Sequence, residues 1–309
     1  MDPTDLGILK ILLANNGAPP GMPVLHKSFR SIARDLGVDQ GTVRSRMKRL
    51  QERHVLRGWL LGLSPGLTGH DVGQAWLLVK PEAEKGPLVD RLLSAPEVER
   101  VCVYLGPKVS LLFLVRKGAD PSEAVKGIAD RIGPSWSLHR GGVIPIPTYP
   151  LTETDSSIVR ALRKDPWKPF PEVAREVGVS SRTVVRRVAK LSQDGAIYML
   201  PVIDLDALHG VIPMELVVEY ESIASRPMAN SSIASYVGEE LVFSDTTGPL
   251  GYFALVVPTL SSMERVEAWV RKQQGVAGAH ADALQGVVLN RAHYERKWTP
   301  VERQLARRA

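Results

Sequence analysis

One cysteine, Cys102, stands in the 309-residue chain. No intramolecular disulfide forms from it, and every cysteine-based zinc pattern is excluded. Its setting, VERVCVYL, is that of a small core residue on a strand rather than of a reactive thiol. Long apolar runs are missing too: none approaches the roughly 18 to 20 residues that span a bilayer, so a soluble chain without a membrane partner is expected. The opening MDPTDLGILK has no basic segment leading into an apolar one and no small-residue cleavage site, which points to a cytoplasmic location. Aromatic residues make up 6% of the chain, and Trp59, Trp76, Trp136, Trp167, Trp269 and Trp298 show no regular stacking period, so they read as core or interface residues. Neither a Gly-rich phosphate loop, nor a Ser-His-Asp order, nor a paired-carboxylate constellation stands out. His26, His54, His70, His209 and His293 are scattered without metal-ligand spacing. No catalytic residue, no metal and no cofactor is therefore expected, and the chain is not expected to be an enzyme.

What is present is basic charge, in few places. The net charge is +6. Residues 39–53 carry Arg44, Arg46, Lys48, Arg49 and Arg53 against Asp39 and Glu52, a balance of +3. Residues 180–194 carry Arg182, Arg186, Arg187 and Lys190 against Asp194, again +3. These two short segments equal the whole excess, so the remaining charges cancel. A third basic region begins at Asn290 and includes Arg291, Arg296, Lys297, Arg303, Arg307 and Arg308.

The chain is also written twice. TDLGILKILL at residues 4–13 matches TDSSIVRALR at 154–163, which aligns Asp5, Ile8 and Leu12 with Asp155, Ile158 and Leu162 at an offset of 150. LGVDQGTVRSRMKRL and VGVSSRTVVRRVAKL then align Gly37, Val38, Thr42, Val43, Arg46 and Leu50 with Gly178, Val179, Thr183, Val184, Arg187 and Leu191, at an offset of 141. The nine-residue difference falls in NNGAPPGMP, whose glycines and prolines predict a loop. After each basic phrase come a pair of apolar runs, expected as a β-hairpin wing, and then the rhythm β-α-β-β-α-β of a ferredoxin-like split unit. Gly106-Pro107 and Gly248-Pro249 form matching turns at an offset of 142. The expected fold class is α+β, with two winged helix-turn-helix domains (1–68 and 149–207) alternating with two ferredoxin-like βαββαβ domains (69–148 and 208–298) and a basic tail (299–309). Thr152 is placed to cap a helix, with Asp155 in a capping-box position.

In the second copy PEVAREVGV predicts a short helix with Val173, Ala174 and Val177 inward, closed by Gly178 in a left-handed turn. Ser180 or Ser181 caps the next helix, whose Val184, Val188 and Leu191 form the buried stripe. The outward face carries Arg182, Val185, Arg186 and Ala189. In the first copy Val43, Met47 and Leu50 face inward, while Gln40, Gly41, Arg44, Ser45 and Lys48 face out. A helix, a glycine turn and a capped basic helix make a helix-turn-helix, whose second helix enters the major groove of double-stranded DNA. Arginine and glutamine bond base edges there, and Arg, Lys, Ser and Thr meet phosphates. A basic helix on its own is more often a solvated face; two copies with the same turn, cap, Thr, Val and Arg favour DNA contact. The candidate contacts are Gln40, Thr42, Arg44, Ser45, Arg46 and Lys48, with Ser181, Arg182, Thr183, Arg186, Arg187 and Lys190. Of these, Arg44, Lys48, Arg182 and Arg186 are assigned to the groove, and Thr42, Thr183, Arg46 and Arg187 to the backbone or to bracing the helix.

DSSIVRALRKDPWKPFPEVAREVGVSSRTVVRRVAKLSQDGAI resembles, nearly throughout, the winged helix-turn-helix of the Lrp/AsnC (feast/famine) transcription regulators, including Thr183, Arg187, Leu191 and Gly195. The stretches after each basic phrase resemble that family's ferredoxin-like sensing and dimerisation domain, called RAM. The resemblance spans residues 3–298 and is strongest over 151–210. Copy one departs from it at His54, which replaces the glycine seen as Gly195, and in its long first loop.

The resemblance implies a sequence-specific, DNA-binding transcription regulator, a tandem fusion whose halves form a pseudodimer within one chain. It also implies homo-oligomers through the RAM-type domains and a nucleoid-associated place in the cytoplasm. A small-molecule effector is a possible partner, but the family's Gly-x-x-Asp effector turn reads Gly106-Pro107-Lys108-Val109 and Gly248-Pro249-Leu250-Gly251 here, without the carboxylate. His139 and His280 fall at equivalent positions of the last strand of each RAM-type domain, with no carboxylate expected at ligand spacing. Two alternatives stay open. One is an architectural protein of low sequence preference. The other is an enzyme like the siroheme decarboxylases, which resemble Lrp/AsnC proteins but whose His- and Arg-rich strand motif is missing from VCVYLGPKVSLLFLV and LVFSDTTGPLGYFALVV.

Overall fold

A computed structural model describes residues 2–13, 28–80, 84–132, 136–245 and 250–306. The expected NNGAPPGMP loop, His26, the Gly248-Pro249 turn, Arg307 and Arg308 lie outside the described residues. Eleven α-helices and ten strands follow one another among those described. The first head comprises α1 (Pro3–Leu13), α2 (Phe29–Leu36) and α3 (Gln40–Glu52), then β1 (Leu56–Leu63). The first ferredoxin-like set is β2 (His70–Val79), α4 (Lys85–Ser94), β3 (Val98–Tyr104), β4 (Lys108–Arg116), α5 (Pro121–Ile132) and β5 (Trp136–Ile144). The second head comprises α6 (Glu153–Leu162), α7 (Phe170–Val177) and α8 (Ser181–Gln193), then β6 (Ile197–Ile203). The second set is β7 (Ile212–Tyr220), α9 (Arg226–Val237), β8 (Leu241–Asp245), β9 (Leu250–Val257), α10 (Leu260–Val270) and β10 (Val276–Leu289). A final helix, α11 (Arg291–Ala306), occupies much of what the sequence suggests is a plain basic tail. No described helix is long and apolar enough to cross a membrane.

Within each ferredoxin-like set the strands pair antiparallel, in the orders β5-β2-β4-β3 and β10-β7-β9-β8. This is the split βαβ pattern read twice. Each buries one face beneath its two helices. Ala75, Leu77, Val98, Val101, Leu111 and Phe113 close over Leu88, Leu92 and Ile128 in the first. Leu216, Val218, Phe253 and Leu255 close over Ile233, Val266 and Val270 in the second.

The chain assembles into two compact units that do not follow the two copies. One comprises Met1–Trp59 and Met199–Gln285, and therefore joins the first head to the second ferredoxin-like set. The other comprises Leu60–Tyr198 and Gly286–Ala309, and joins the second head to the first set and α11. The exchange also corrects the expected wings. β1 does not fold back on its own copy as a hairpin but pairs with β6. In the first unit the Asp204 amide donates to the Val55 carbonyl at 3.0 Å, and in the second the Ser64 amide donates to the Ala196 carbonyl at 2.9 Å. The reason is local: residues 56–63 form one uninterrupted strand with no reversal within it, so its edge must find a partner from elsewhere in the chain.

In the first unit the first head closes its core with Ile8, Leu12, Ile32, Val43, Met47, Leu50 and Leu56, against which Ile203, Ala207 and Leu208 pack. Arg57 donates to Asp204 at 2.8 Å. Helix α1 rests against β8. There burial lowers the Lys10 ammonium pKa, while Glu239 and Glu240 pull it upward.

In the second unit α11 does the seating. The Asn290 side chain donates to the carbonyls of Leu93 at 2.8 Å and Val98 at 2.9 Å, which fixes the start of the helix on the first ferredoxin-like set. One turn on, a charged cluster is buried. Glu99 accepts from Lys297 at 2.6 Å, from the Tyr294 hydroxyl at 2.9 Å and from the Tyr198 hydroxyl at 3.4 Å. His293 Nδ1 donates to the Pro96 carbonyl at 3.0 Å, which leaves Nε2 facing Glu99 at 3.6 Å. Burial would raise the Glu99 carboxyl, but the Lys297 ammonium and His293 outweigh it and hold it well below the usual range. Burial, then the Glu99 charge, pushes both tyrosines well above theirs. On its other side α11 holds the second head, through an Arg163–Glu295 ion pair and the Arg163 guanidinium 5.1 Å from the Trp298 ring centre.

Candidate nucleic-acid interface

Each candidate helix is aimed by the turn before it. α2 starts at Ser28, whose hydroxyl accepts from the Ser31 amide at 3.1 Å, and ends at Gly37 with φ of 66°. α7 ends at Gly178 with φ of 75°. A side chain at either position would pay for a left-handed backbone, so glycine ends the first helix at little cost and turns the chain into the second. α3 is then capped by Asp39, which accepts from the Thr42 amide at 2.8 Å and from the Thr42 hydroxyl. The Thr42 hydroxyl, then its amide, lowers the Asp39 carboxyl pKa. α8 is capped by Ser180, not Ser181: the Thr183 amide donates to its hydroxyl at 3.1 Å.

The inward stripes are as expected, with Val43, Met47, Leu50, Val184, Val188 and Leu191 all buried. Val177 differs from expectation, being only half-buried where α7 ends, while Val173 and Ala174 are buried. Gln40, Arg44, Ser45, Lys48, Ser181, Arg182, Arg186 and Lys190 are exposed; Thr42, Arg46, Thr183 and Arg187 are half-buried. Lys48 and Lys190 point along their helices to Glu52 at 3.5 Å and Asp194 at 2.8 Å. Arg44, Arg182 and Arg186 have no ion-pair partner among the described residues.

The half-buried arginines are turned toward the head itself. Arg46 pairs with Asp2 and, at 3.4 Å, with Asp5; Arg49 reaches the same two carboxylates at 3.0 and 3.3 Å. In the second head Arg187 pairs with Asp155 at 3.5 Å. Asp155 also completes the capping box of α6: its amide donates to the Thr152 hydroxyl at 3.2 Å, and its carboxylate accepts from the Thr152 amide at 3.0 Å. Asp5 and Asp155 are both buried, so each brace couples the first helix of a head to the outward-facing one. Sequence reasoning left these carboxylates, and Arg49, out of the site. The signal was the Asp5–Asp155 match itself, since an acidic residue repeated inside an apolar helix pattern needs a partner.

Position 54 separates the heads. Gly195 has φ of 70°, and His54, its counterpart, has φ of 59°, the one non-glycine residue with positive φ among those described. The two histidines on the last strands also part company. His139 is exposed on β5. His280 has carboxylate neighbours after all, Asp282 at 3.2 Å and Glu267 at 3.8 Å. Two-residue spacing puts Asp282 on the same face of β10, and α10 supplies Glu267. Even so, no group of three or more His, Cys, Asp or Glu that could hold a metal occurs among the described residues. His293, read as one of the scattered histidines, is buried beside Glu99. On the turn of the first ferredoxin-like set, Lys108 is buried with its ammonium 4.5 Å from the Tyr104 ring centre.

Residues 151–192 match the profile of the AsnC-type helix-turn-helix domain. The chain is 32% identical over 129 residues to the HTH-type transcriptional regulator Ptr1 of Methanocaldococcus jannaschii, covering 38% of this chain and 81% of that protein. It is 27% identical over 135 residues to the HTH-type transcriptional regulator LysM of Saccharolobus solfataricus, covering 43% and 93%. Among solved structures, the siroheme decarboxylase NirDL aligns over 98% of this chain and 99% of its own, with a TM-score of 0.52 and 15% identity. At that identity the likeness is one of fold. Ptr1 and LysM each match less than half of this chain while most of their own length is covered, and the duplicated, capped and braced helix pairs lie on a ferredoxin-like frame: the chain belongs to the Lrp/AsnC family of transcriptional regulators.

Proposed function

We propose that the protein binds double-stranded DNA sequence-specifically, with α3 and α8 as two reading helices and the two units acting as the halves of an intrachain pseudodimer. The observation that carries this reading is the division of labour on each helix. Arg46 and Arg187 are spent on internal braces, while Arg44, Arg182 and Arg186 project outward without ion-pair partners among the described residues. Basic side chains held out from a rigid, capped helix suit phosphates and guanine edges. Gln40, Ser45, Lys48, Ser181 and Lys190 extend the same exposed faces, and Thr42 and Thr183 sit at the helix starts, where backbone phosphates are met. Tethering two heads in one chain raises the effective concentration of the second once the first is bound. Further association of chains through the RAM-type domains, a small-molecule effector and a place on the nucleoid belong to the same reading.

Fluorescence anisotropy of the full chain on promoter and random duplexes, at one fixed salt concentration, is the test. The expected outcome is a preference for promoter DNA, and a loss of about 1–3 kcal/mol per base contact for Arg182→Ala with Arg186→Ala. Equal affinity for both duplexes, unaffected by the substitutions, would replace this reading with that of an architectural protein bound through counterion release.

A further inference from the structure

We infer that the second head selects an A·T base pair by seating the thymine 5-methyl group against Val185, and that the first head, with Arg44 at the equivalent position, selects a different base. The inference rests on the proposed DNA-binding function and deepens it.

Val185 is 49% exposed, the one large hydrophobic residue so exposed among the described residues of the two heads. The core does not use it: Val184, Val188 and Leu191 form the buried stripe, and Val185 lies one residue, about 100°, round the helix from the first of them. Helix formation does not ask for it either, since a β-branched residue at an exposed helical site is a poorer choice than Arg, Lys or Ala. Its neighbours say what it faces. Arg182, Val185, Arg186 and Ala189 fall at i, i+3, i+4 and i+7 and are all exposed, forming one outward strip. The strip is about 10 Å long, the reach of roughly three base steps. Two guanidiniums flanking an apolar centre suit a polyanion with a methyl group at its middle. In the major groove that methyl belongs to thymine alone; guanine, adenine and cytosine present hydrogen-bonding groups there and no methyl, so valine gains least from them. Ala189 continues the apolar track one turn on.

The first head inverts the pattern. At the matching positions it carries Gly41, Arg44, Ser45 and Lys48, all exposed. A cation stands where the second head has Val185, and another where it has Ala189. Arg44 has the fork that pairs with the O6 and N7 of guanine. The burial pattern of the two helices is the same at these positions, so the difference lies in side-chain chemistry rather than in how the helices are seated.

The test begins with duplexes selected from a randomised library by the full-length protein. Each thymine of the winning duplex is then replaced in turn by deoxyuridine, which lacks the 5-methyl group. In the wild-type protein one such replacement, in one half-site only, is expected to lower affinity about fourfold, the worth of one buried methyl. In Val185→Ser that sensitivity should vanish while the duplex still binds, and reselection with Val185→Arg should change the preferred base there from thymine to guanine. Both variants alter an exposed position and are expected to melt with the wild type. The inference is overturned if no thymine is sensitive, if Val185→Ser keeps the same sensitivity, or if the two selected half-sites are identical. Failure to enrich any duplex overturns the DNA-binding reading itself, and this inference with it.

Discussion

The two heads share a skeleton and differ in how it is secured. Over residues 41–48 and 182–189 buried, half-buried and exposed positions alternate identically, and each outward helix is tied to its first helix by an Arg–Asp brace. Around that skeleton the devices diverge. The first head caps α3 with Asp39, braces it twice through Asp2 and Asp5, and holds a histidine in a left-handed turn. The second caps α8 with Ser180, braces it once through an aspartate that also closes a capping box, and is seated on α11. In each head the geometry of the outward helix is held by several interchangeable contacts. Its outward chemistry is then free to vary, because no core packing constrains it.

The seating of the second head is the place to break the comparison hardest. Lys297→Met would strand the Glu99 carboxylate in the interior, and a loss of about 3–5 kcal/mol in urea unfolding is expected. Pairing it with Glu99→Gln should recover much of that loss, because the cost is an uncompensated charge rather than a lost attraction. A single variant as stable as the wild type would show that the cluster does not hold α11. The same group sets an acid limit. The Glu99 carboxyl lies lower in the fold than in the unfolded chain, so its contribution is complete above the ordinary value of about 4.3 and is lost as the pH falls below it. Tyr198 and Tyr294 act in the opposite sense. Their raised values leave their contribution whole below about pH 10 and erode it above. Urea midpoints across pH 3–11 in the wild type should thus fall at both ends, and Glu99→Gln should flatten the acid limb.

The braces rank next. Asp155→Ala removes a capping box and the partner of Arg187 together, for an expected cost of about 2 kcal/mol. Asp5→Ala should cost less, since Asp2 still accepts from Arg46 and Arg49; thermal melts that ranked the two in reverse would remove the redundancy argued for the first head. The smallest effect carries the opposite sign. His54→Gly relieves a left-handed non-glycine residue and should stabilise by up to about 1 kcal/mol, while Gly195→His should destabilise by a similar amount. If both substitutions destabilised, the shared turn geometry would not be what distinguishes the pair.

Much of this was legible beforehand. The Asp5–Asp155 and Thr42–Thr183 matches, the inward stripes Val43-Met47-Leu50 and Val184-Val188-Leu191, and the Thr152 capping box are local regularities, set by residues within a turn or two of each other. The βαββαβ order was legible for the same reason. The wings were misread because a strand shows its own period but not its partner: nothing in LRGWLLGL says that its edge is to be met by β6. The Glu99 cluster was invisible in another way. Its members, Glu99, Tyr198, His293, Tyr294 and Lys297, come from three distant parts of the chain, and each alone looks like an ordinary residue.

By itself, the sequence determined the duplicated plan, the heads with their capped and glycine-ended helices, and the outward residues Arg44, Lys48, Arg182, Val185 and Arg186. Periodicity, capping and turn chemistry act over short range and leave their marks on neighbouring residues. Only the tertiary structure decided that each head joins the ferredoxin-like set of the other copy, that β1 and β6 complete each other's edge, and that a basic tail becomes the helix that buries Lys297 against Glu99. Those outcomes depend on which apolar faces and unpaired strand edges close most favourably across the whole chain. A repeated sequence offers two nearly equivalent partners for each, and the choice is made by long-range packing that no single stretch contains.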